Sequence, residues 1–343
     1  VAKQQRFDPA ALDRAKGRAT SRGASGKQPS KKGRGRSGRP GGRPPAEAQP
    51  ATLGTWIQAA RPQTLALAIG PVVLGTGAAA VSMTVWYDHW VRALLCLAVA
   101  GLLQIGVNYA NDYSDGVRGT DQHRVGPARL VGSGRANPRH VLIVALVFFG
   151  LAALAGLALV VLTQIWWLLA VGVVAIAAAW FYTGGRRPYG YAALGELSAF
   201  LFFGVVAVVG TTLVQVGMDE VGIEAWLGGV AAGFFAAAVL HVNNLRDRAQ
   251  DALAGKRTVA VRVGDLGSRI LYAVLMAAPF GVLAFFVLFY ANAPFVYFAL
   301  LAGVPAVLIV MTARTSRELV TALRLTLLTA LAFEVGLAAA LAF

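Results

Sequence analysis

Long apolar runs separated by short polar connections dominate the chain from residue 62 onward. A helix needs about 20 mostly apolar residues to cross the hydrocarbon of a bilayer. Nine such runs are predicted, near 62–81, 91–110, 140–162, 165–183, 193–216, 225–245, 269–290, 294–312 and 322–342. Several are rich in Gly and Ala, which lets helix backbones approach closely in lipid. The expected fold class is an all-α membrane protein with nine transmembrane helices, embedded in a lipid bilayer.

The connections alternate in character. The first, third, fifth and seventh are short and poor in Lys and Arg: Ser82–His89, Leu162–Gln164, Gly217–Glu224 and Tyr290–Asn292. The even connections carry the cations. The second has Arg118, Arg124, Arg129, Arg135 and Arg139, and the fourth has Arg186 and Arg187. The sixth has Arg246, Arg248, Lys256, Arg257, Arg262 and Arg269, and the eighth has Arg314, Arg317 and Arg324. Positive loops stay on the cytoplasmic side. The N-terminus is therefore expected in the cytoplasm and Phe343 on the opposite face, in a multi-pass protein of the cell (plasma) membrane.

Composition sharpens this picture. Charged residues make up 14% of the chain, against about a quarter in soluble domains. The net charge of +15 sits mainly at one end: residues 1–50 hold 13 Lys and Arg against three Asp and Glu. A segment so rich in Lys, Arg, Gly, Ser and Pro buries too little apolar surface to offset its ordering entropy. Residues 1–54 are expected to be a disordered, basic, cytoplasmic arm ahead of a transmembrane domain over 55–343, with no signal peptide. A solvated arm that helps set topology is favoured over one that contacts anionic lipid head groups or binds nucleic acid. The single cysteine, Cys96, allows no intramolecular disulfide.

Two acidic clusters follow the second and sixth runs: NYANDYSDGVRGTD, Asn108–Asp121, and NNLRDRAQD, Asn243–Asp251. Both come two spans into a four-span block, which suggests a parallel repeat. Asn108, Asp112 and Asp115 stand at i, i+4 and i+7, and Asn244, Asp247 and Asp251 at i, i+3 and i+7. On helices each set shares a face. Facing carboxylates need a cation between them. Magnesium suits them, since it combines a few carboxylates with substrate phosphates. Arg118, Arg124, Arg129, Lys256 and Arg257 could clamp those phosphates.

These stretches resemble the UbiA superfamily of intramembrane aromatic prenyltransferases. Within it the pattern is closest to the branch acting on 1,4-dihydroxy-2-naphthoate. The resemblance covers about residues 55–343 and rests on ARPQTL at 60–65, NDYSDGVRGTD at 111–121, VGPARLVGSG at 125–134, YTGGRRPYGYAALGE at 182–196 and NNLRDRAQDALAGKRTVAVRVGD at 243–265. It implies nine helices around a central cavity, a magnesium cofactor and a polyprenyl diphosphate donor. It also implies replacement of the acceptor carboxylate by the prenyl chain, with loss of CO2, as in menaquinone synthesis. Asn111, Asp112 and Asp115 match its first motif, and Asp247 and Asp251 its second. The broad family has an aspartate where this chain has Gly119; Asp121 follows two residues later, as in the naphthoate branch.

Metal-holding positions are therefore expected at Asn111, Asp112, Asp115, Asp121, Asp247 and Asp251. Asp115, Asp247 and Asp251 would help the diphosphate leave. Tyr182 matches a substrate-side family position. It heads a set of aromatic residues, Trp180, Phe181, Phe200, Phe202 and Phe203, that could face a carbocation-like carbon. Glu196 could act as a base or orient the acceptor. Substrate contacts are expected from Asn108, Asn111, Arg118, Arg129, Asn243, Asn244, Lys256 and Arg257. Arg61, Arg186 and Arg187 are candidates for the acceptor carboxylate. His241 and Gln104 are read as packing residues, and Glu334 receives no role.

Other readings fit less well. A secondary transporter would carry its polar residues near helix midpoints, whereas these cluster at one face. A CDP-alcohol phosphotransferase would need a DGxxAR run, but Val-Arg-Gly-Thr follows Asp115-Gly116. The same fold with 4-hydroxybenzoate as acceptor is opposed by GPARLVGSG and YTGGRRPYGY, through the resemblance.

Overall fold

The structure is a computed structural model that describes residues 50–82, 89–120 and 129–343. The expected arm thus lies outside the described residues up to position 49, as do Asp121 and Arg124. A helix begins beside its predicted end at 54. The Thr52 hydroxyl accepts from the Thr55 amide at 3.3 Å and caps helix α1, Leu53–Ala59. An N-cap hydroxyl satisfies an amide with no partner inside the helix.

Among the described residues all regular structure is helical. After a 3₁₀ turn over Pro62–Leu65 come α2 (Ala66–Ser82), α3 (Trp90–Arg118), α4 (Pro138–Thr163) and α5 (Leu168–Phe181). A second 3₁₀ turn, Tyr189–Ala192, leads to α6 (Gly195–Phe200), a π-helical turn (Leu201–Val206) and α7 (Ala207–Val216). Then follow α8 (Ile223–Leu253), α9 (Val259–Phe289), a 3₁₀ turn (Ala293–Ala299), α10 (Leu300–Thr312) and α11 (Ser316–Ala342).

Among the described residues, eight helical segments are long and apolar enough to cross a membrane. The fourth predicted span, 165–183, forms only α5, 14 residues long, or about 21 Å at 1.5 Å per residue. The turn before it exposes Trp166 and Trp167, and such rings favour the membrane–water interface.

Within the described residues, Asn108–Arg118 and Asn243–Asp251 form the last turns of their helices. α3 runs 29 residues and α8 runs 31, each more than 40 Å by the same rise, so neither helix needs its charged C-terminal turns to cross a hydrocarbon core of about 30 Å. Gly119, at φ 72°, closes α3, a left-handed conformation that glycine adopts without steric cost. α9 starts ten residues before its predicted span, capped by the Thr258 hydroxyl, and breaks its helical geometry at Gly264.

α8 and α11 carry the most buried positions of any helices, while α5 carries none and apolar side chains of α4 and α5 are exposed. Close approach relies on small residues. A Cβ on Gly77 would stand 2.5 Å from the Ala338 Cα, and one on Gly204 2.3 Å from the Gly233 Cα. Hydroxyls inside the bundle find partners there, as lipid requires: Thr212 Oγ1 donates to the Gly75 carbonyl at 2.8 Å, and Tyr272 meets Thr326 at 2.6 Å.

Candidate functional site

The C-terminal turns of α3 and α8 meet around one polar chamber. Asn111 and Asp115 line it from α3, and Asn243, Asn244, Asp247, Gln250 and Asp251 from α8. Arg61, Thr120, Arg129, Tyr182, Thr183, Gly190, Tyr191, Leu240, Lys256 and Thr258 complete the wall. The chamber holds about 720 Å³, its open mouth included.

Asp115 is the hub. It is 2% exposed, yet Arg129 Nη1 reaches its Oδ2 at 2.8 Å and Lys256 Nζ stands 3.5 Å from the same oxygen. Tyr191 donates to its Oδ1 at 2.5 Å. Lys256 also lies 3.7 Å from Asp251 Oδ1, so one ammonium links the two acidic motifs. The Tyr191 ring sits under two cations, with Lys256 Nζ 4.6 Å and the Arg118 guanidinium 5.5 Å from its centroid. Its hydroxyl is pushed above its ordinary pKa, first by burial and then by the Asp115 charge. Tyr191 therefore stays a proton donor. Asp247 is held bidentately by Arg246, with two bonds of 2.7 Å.

The segment 182–192 ties the two halves together. Its Tyr191 carbonyl accepts from the Arg257 amide at 2.9 Å and its Ala192 carbonyl from Arg262 at 3.3 Å. Thr183 Oγ1 donates to Asn111 Oδ1 at 2.7 Å.

Several predicted positions fall elsewhere. The face expected to unite Asn108, Asp112 and Asp115 is split. Asn108 Nδ2 donates to the Ala60 carbonyl at 2.9 Å and to Thr64 Oγ1 at 3.1 Å. Asp112 accepts the Leu130 and Val131 amides at 2.8 and 3.0 Å. It secures the loop over the chamber and does not line it. The reason is rotational: at 100° per residue Asp112 lies about 60° from Asp115 around the helix, whereas Asn111 lies about 40° away on the other side. Arg118 turns to the carbonyls of Thr183 and Gly185, and Arg257 is exposed, engaged through its backbone. Arg186 and Arg187 are also exposed, while Arg61 reaches the chamber from a backbone in the left-handed region, φ 53°. Glu196 sits behind the wall, its Oε1 2.9 Å from His241 Nδ1 and 3.1 Å from Asn244 Nδ2. Of the aromatic set, Tyr182 lines the chamber and Phe181 faces outward. Sequence reasoning missed Tyr191, Thr183, Gln250, Thr120 and Thr258. The second tyrosine of YGY, beside a run of Arg and Gly, was the available signal.

Among the described residues, no three His, Cys, Asp or Glu side chains converge on one point. The donors that line the chamber are carboxylate and amide oxygens, flanked by Arg129, Lys256 and Arg61. Fold and site thus define a multi-pass membrane protein with a polar, cation-studded chamber at one end of its helices. The chain belongs to the UbiA prenyltransferase family, whose sequence profile matches residues 65–340. It is 51% identical over 298 residues to the 1,4-dihydroxy-2-naphthoate octaprenyltransferase of Mycobacterium tuberculosis, covering 85% of this chain and 98% of that protein. Two solved structures share the fold at 16% identity. A UbiA homolog from Aeropyrum pernix K1, in its apo form, has a TM-score of 0.60 over 76% of this chain and 94% of its own. A UbiA homolog from Archaeoglobus fulgidus bound to DMAPP and Mg2+ has 0.56 over 82% and 98%.

Proposed function

We propose that this chain transfers a polyprenyl group from a polyprenyl diphosphate to 1,4-dihydroxy-2-naphthoate, with loss of CO2. The observation that carries this is the convergence of two acidic helix ends on one chamber that Arg129, Lys256 and Arg61 also line. The strong likeness to a naphthoate octaprenyltransferase supports the acceptor. Asp115, Asp247, Asp251 and Asn111 line the chamber with the oxygen donors that magnesium takes and would hold the ion together with substrate phosphates. When bound, magnesium would neutralise charge that develops on the departing diphosphate. Asp112 is committed to backbone amides and is left out of that set.

The chain's own residues do the rest. Arg129 and Lys256 add positive charge where the leaving group stands, and Tyr191 holds both Lys256 and Asp115 in place. The allylic C–O bond breaks and its electron pair leaves with the diphosphate. The acceptor ring carbon that bears the carboxylate bonds to the prenyl carbon. Release of CO2 returns its electron pair to the ring and yields the demethylmenaquinol, the reduced form of demethylmenaquinone. Arg61 lines the chamber where Arg186 and Arg187 do not, which favours it as the carboxylate's partner.

Purified protein with polyprenyl diphosphate and the naphthoate should give the prenylated, decarboxylated product by mass spectrometry with magnesium, and none with EDTA. Product only with 4-hydroxybenzoate would move the chain to another branch of the family.

Orientation follows from charge. The loops around the chamber hold the Arg and Lys clusters, so we place the chamber and the basic segment ahead of Leu53 on the cytoplasmic face of the plasma membrane. A cysteine placed at Glu220 should react with an impermeant thiol reagent from outside the cell; reaction only after permeabilisation would reverse the topology.

A further inference from the structure

Glu196 and His241 form a buried polar pair that no step above uses. His241 is 0% exposed and Glu196 9%, on α8 and α6. His241 Nε2 lies 3.1 Å from the Ser268 carbonyl of α9. A carbonyl can only accept, so Nε2 carries a hydrogen. The other ring nitrogen, Nδ1, lies 2.9 Å from Glu196 Oε1, and one proton must lie between these two atoms. Whichever atom holds it, Oε1 keeps a lone pair, and Asn244 Nδ2 stands 3.1 Å from it. The Asn244 amide therefore has one orientation: its NH2 points back to the carboxylate.

Asn244 lines the chamber, so the fixed NH2 leaves its carbonyl oxygen for the chamber side. The arrangement is costly. Glu196 Oε2 is buried with no partner among the described residues, and such an atom lowers stability. A leucine pair would pack this space without that cost.

We propose that Glu196 and His241 are positioning residues that lock the Asn244 amide, so that its carbonyl accepts a hydrogen bond from a ring hydroxyl of the aromatic acceptor. This rests on the aromatic prenyl-transfer reading. An acceptor with a free hydroxyl is preferred, because a methoxy or quinone oxygen in that place would face another acceptor, and two acceptors cannot bond.

Glu196→Gln makes the test sharp. With Nε2 bound to Ser268, His241 Nδ1 accepts, so the new amide turns its NH2 toward Nδ1 and Asn244. Asn244 then inverts and presents its own NH2 to the chamber. The KM for the naphthoate should rise about tenfold, the size of one neutral hydrogen bond. The inhibition constant of its hydroxyl methyl ether should fall or stay level. The KM for polyprenyl diphosphate and the magnesium concentration for half-activation should remain within twofold. Asn244→Leu, which leaves the pair intact, should raise the naphthoate KM alike and make the enzyme indifferent to methylation; it serves if the Gln variant does not fold. Equal losses for hydroxyl and ether, a shift in the magnesium or diphosphate dependence, or an unchanged naphthoate KM would each overturn the proposal while wild-type turnover stands. No wild-type product with the naphthoate would overturn the reading beneath it.

Discussion

Asp115→Asn should reduce turnover at least a thousandfold while the protein still inserts and folds. Three donors converge on this carboxylate, from Arg129, Tyr191 and Lys256, and it is almost fully buried. An amide has the same shape but no charge, and its NH2 would confront one of those donors. Arg129 is only 9% exposed at its side chain. Breaking one side of a buried ion pair costs on the order of 3–5 kcal/mol, so unfolding in detergent should shift as well. The chemical loss should exceed that shift, because a preorganised charge acts most strongly where charge develops during reaction. Asp265→Asn, on an exposed carboxylate that pairs with Arg248 and Arg269 among the described residues, is the control and should keep near-normal activity. The measurement is product formation at saturating substrates alongside thermal unfolding. Turnover within tenfold of the wild type would remove Asp115 from the proposed chemistry.

Gly204→Ala should be among the most destabilising single-methyl additions in the domain, by about 3 kcal/mol or more. A Cβ there would lie 2.3 Å from the Gly233 Cα, 2.4 Å from the Gly233 amide nitrogen and 2.5 Å from the Gly229 carbonyl oxygen. All three are backbone atoms of α8, so no side chain can rotate aside. The π-helical turn Leu201–Val206 must then move away from α8 as a body, and the dispersion contacts along it are lost. Gly210→Ala is the control. It lies on the same span with nothing within 4 Å of the added carbon, and a helix interior favours Ala over Gly by about 1 kcal/mol. Unfolding in detergent should separate the two variants clearly. Equal stability would mean that the α6–α7 span does not rest on α8 through these glycines.

Much of this protein is written in one dimension. The lipid-spanning helices follow from apolar runs, because an unpaired backbone amide in hydrocarbon is too costly for anything but helix or closed barrel. The alternation of basic and neutral connections is equally local. The acidic motifs could be found because carboxylates beside apolar helices demand a reason, and the paired position of Asn111–Asp115 and Asp247–Asp251 supplied one.

Helix ends were less legible. A hydropathy run ends where lipid ends, but a helix ends where its backbone is capped, so α3 continues to Gly119 and α9 begins at Thr258. Residue roles within the motifs were less legible still. Spacing places Asp112 within reach of the Asp115 face, yet two loop amides claim its carboxylate. Likewise nothing in the order of residues shows that Arg118 would spend its guanidinium on the Thr183 and Gly185 carbonyls, or that Tyr191 would lie between Lys256 and Arg118.

The sequence by itself determined the membrane class, the helical spans, the two acidic helix ends and the family. These depend on hydropathy and spacing, which are properties of neighbours along the chain. The tertiary structure alone decided which side chains share the chamber, which are held away by backbone partners, and how His241 and Glu196 orient Asn244. Those outcomes depend on which donor meets which acceptor across as many as 141 positions of chain, as between Asp115 and Lys256, and only packing brings such groups to hydrogen-bonding distance.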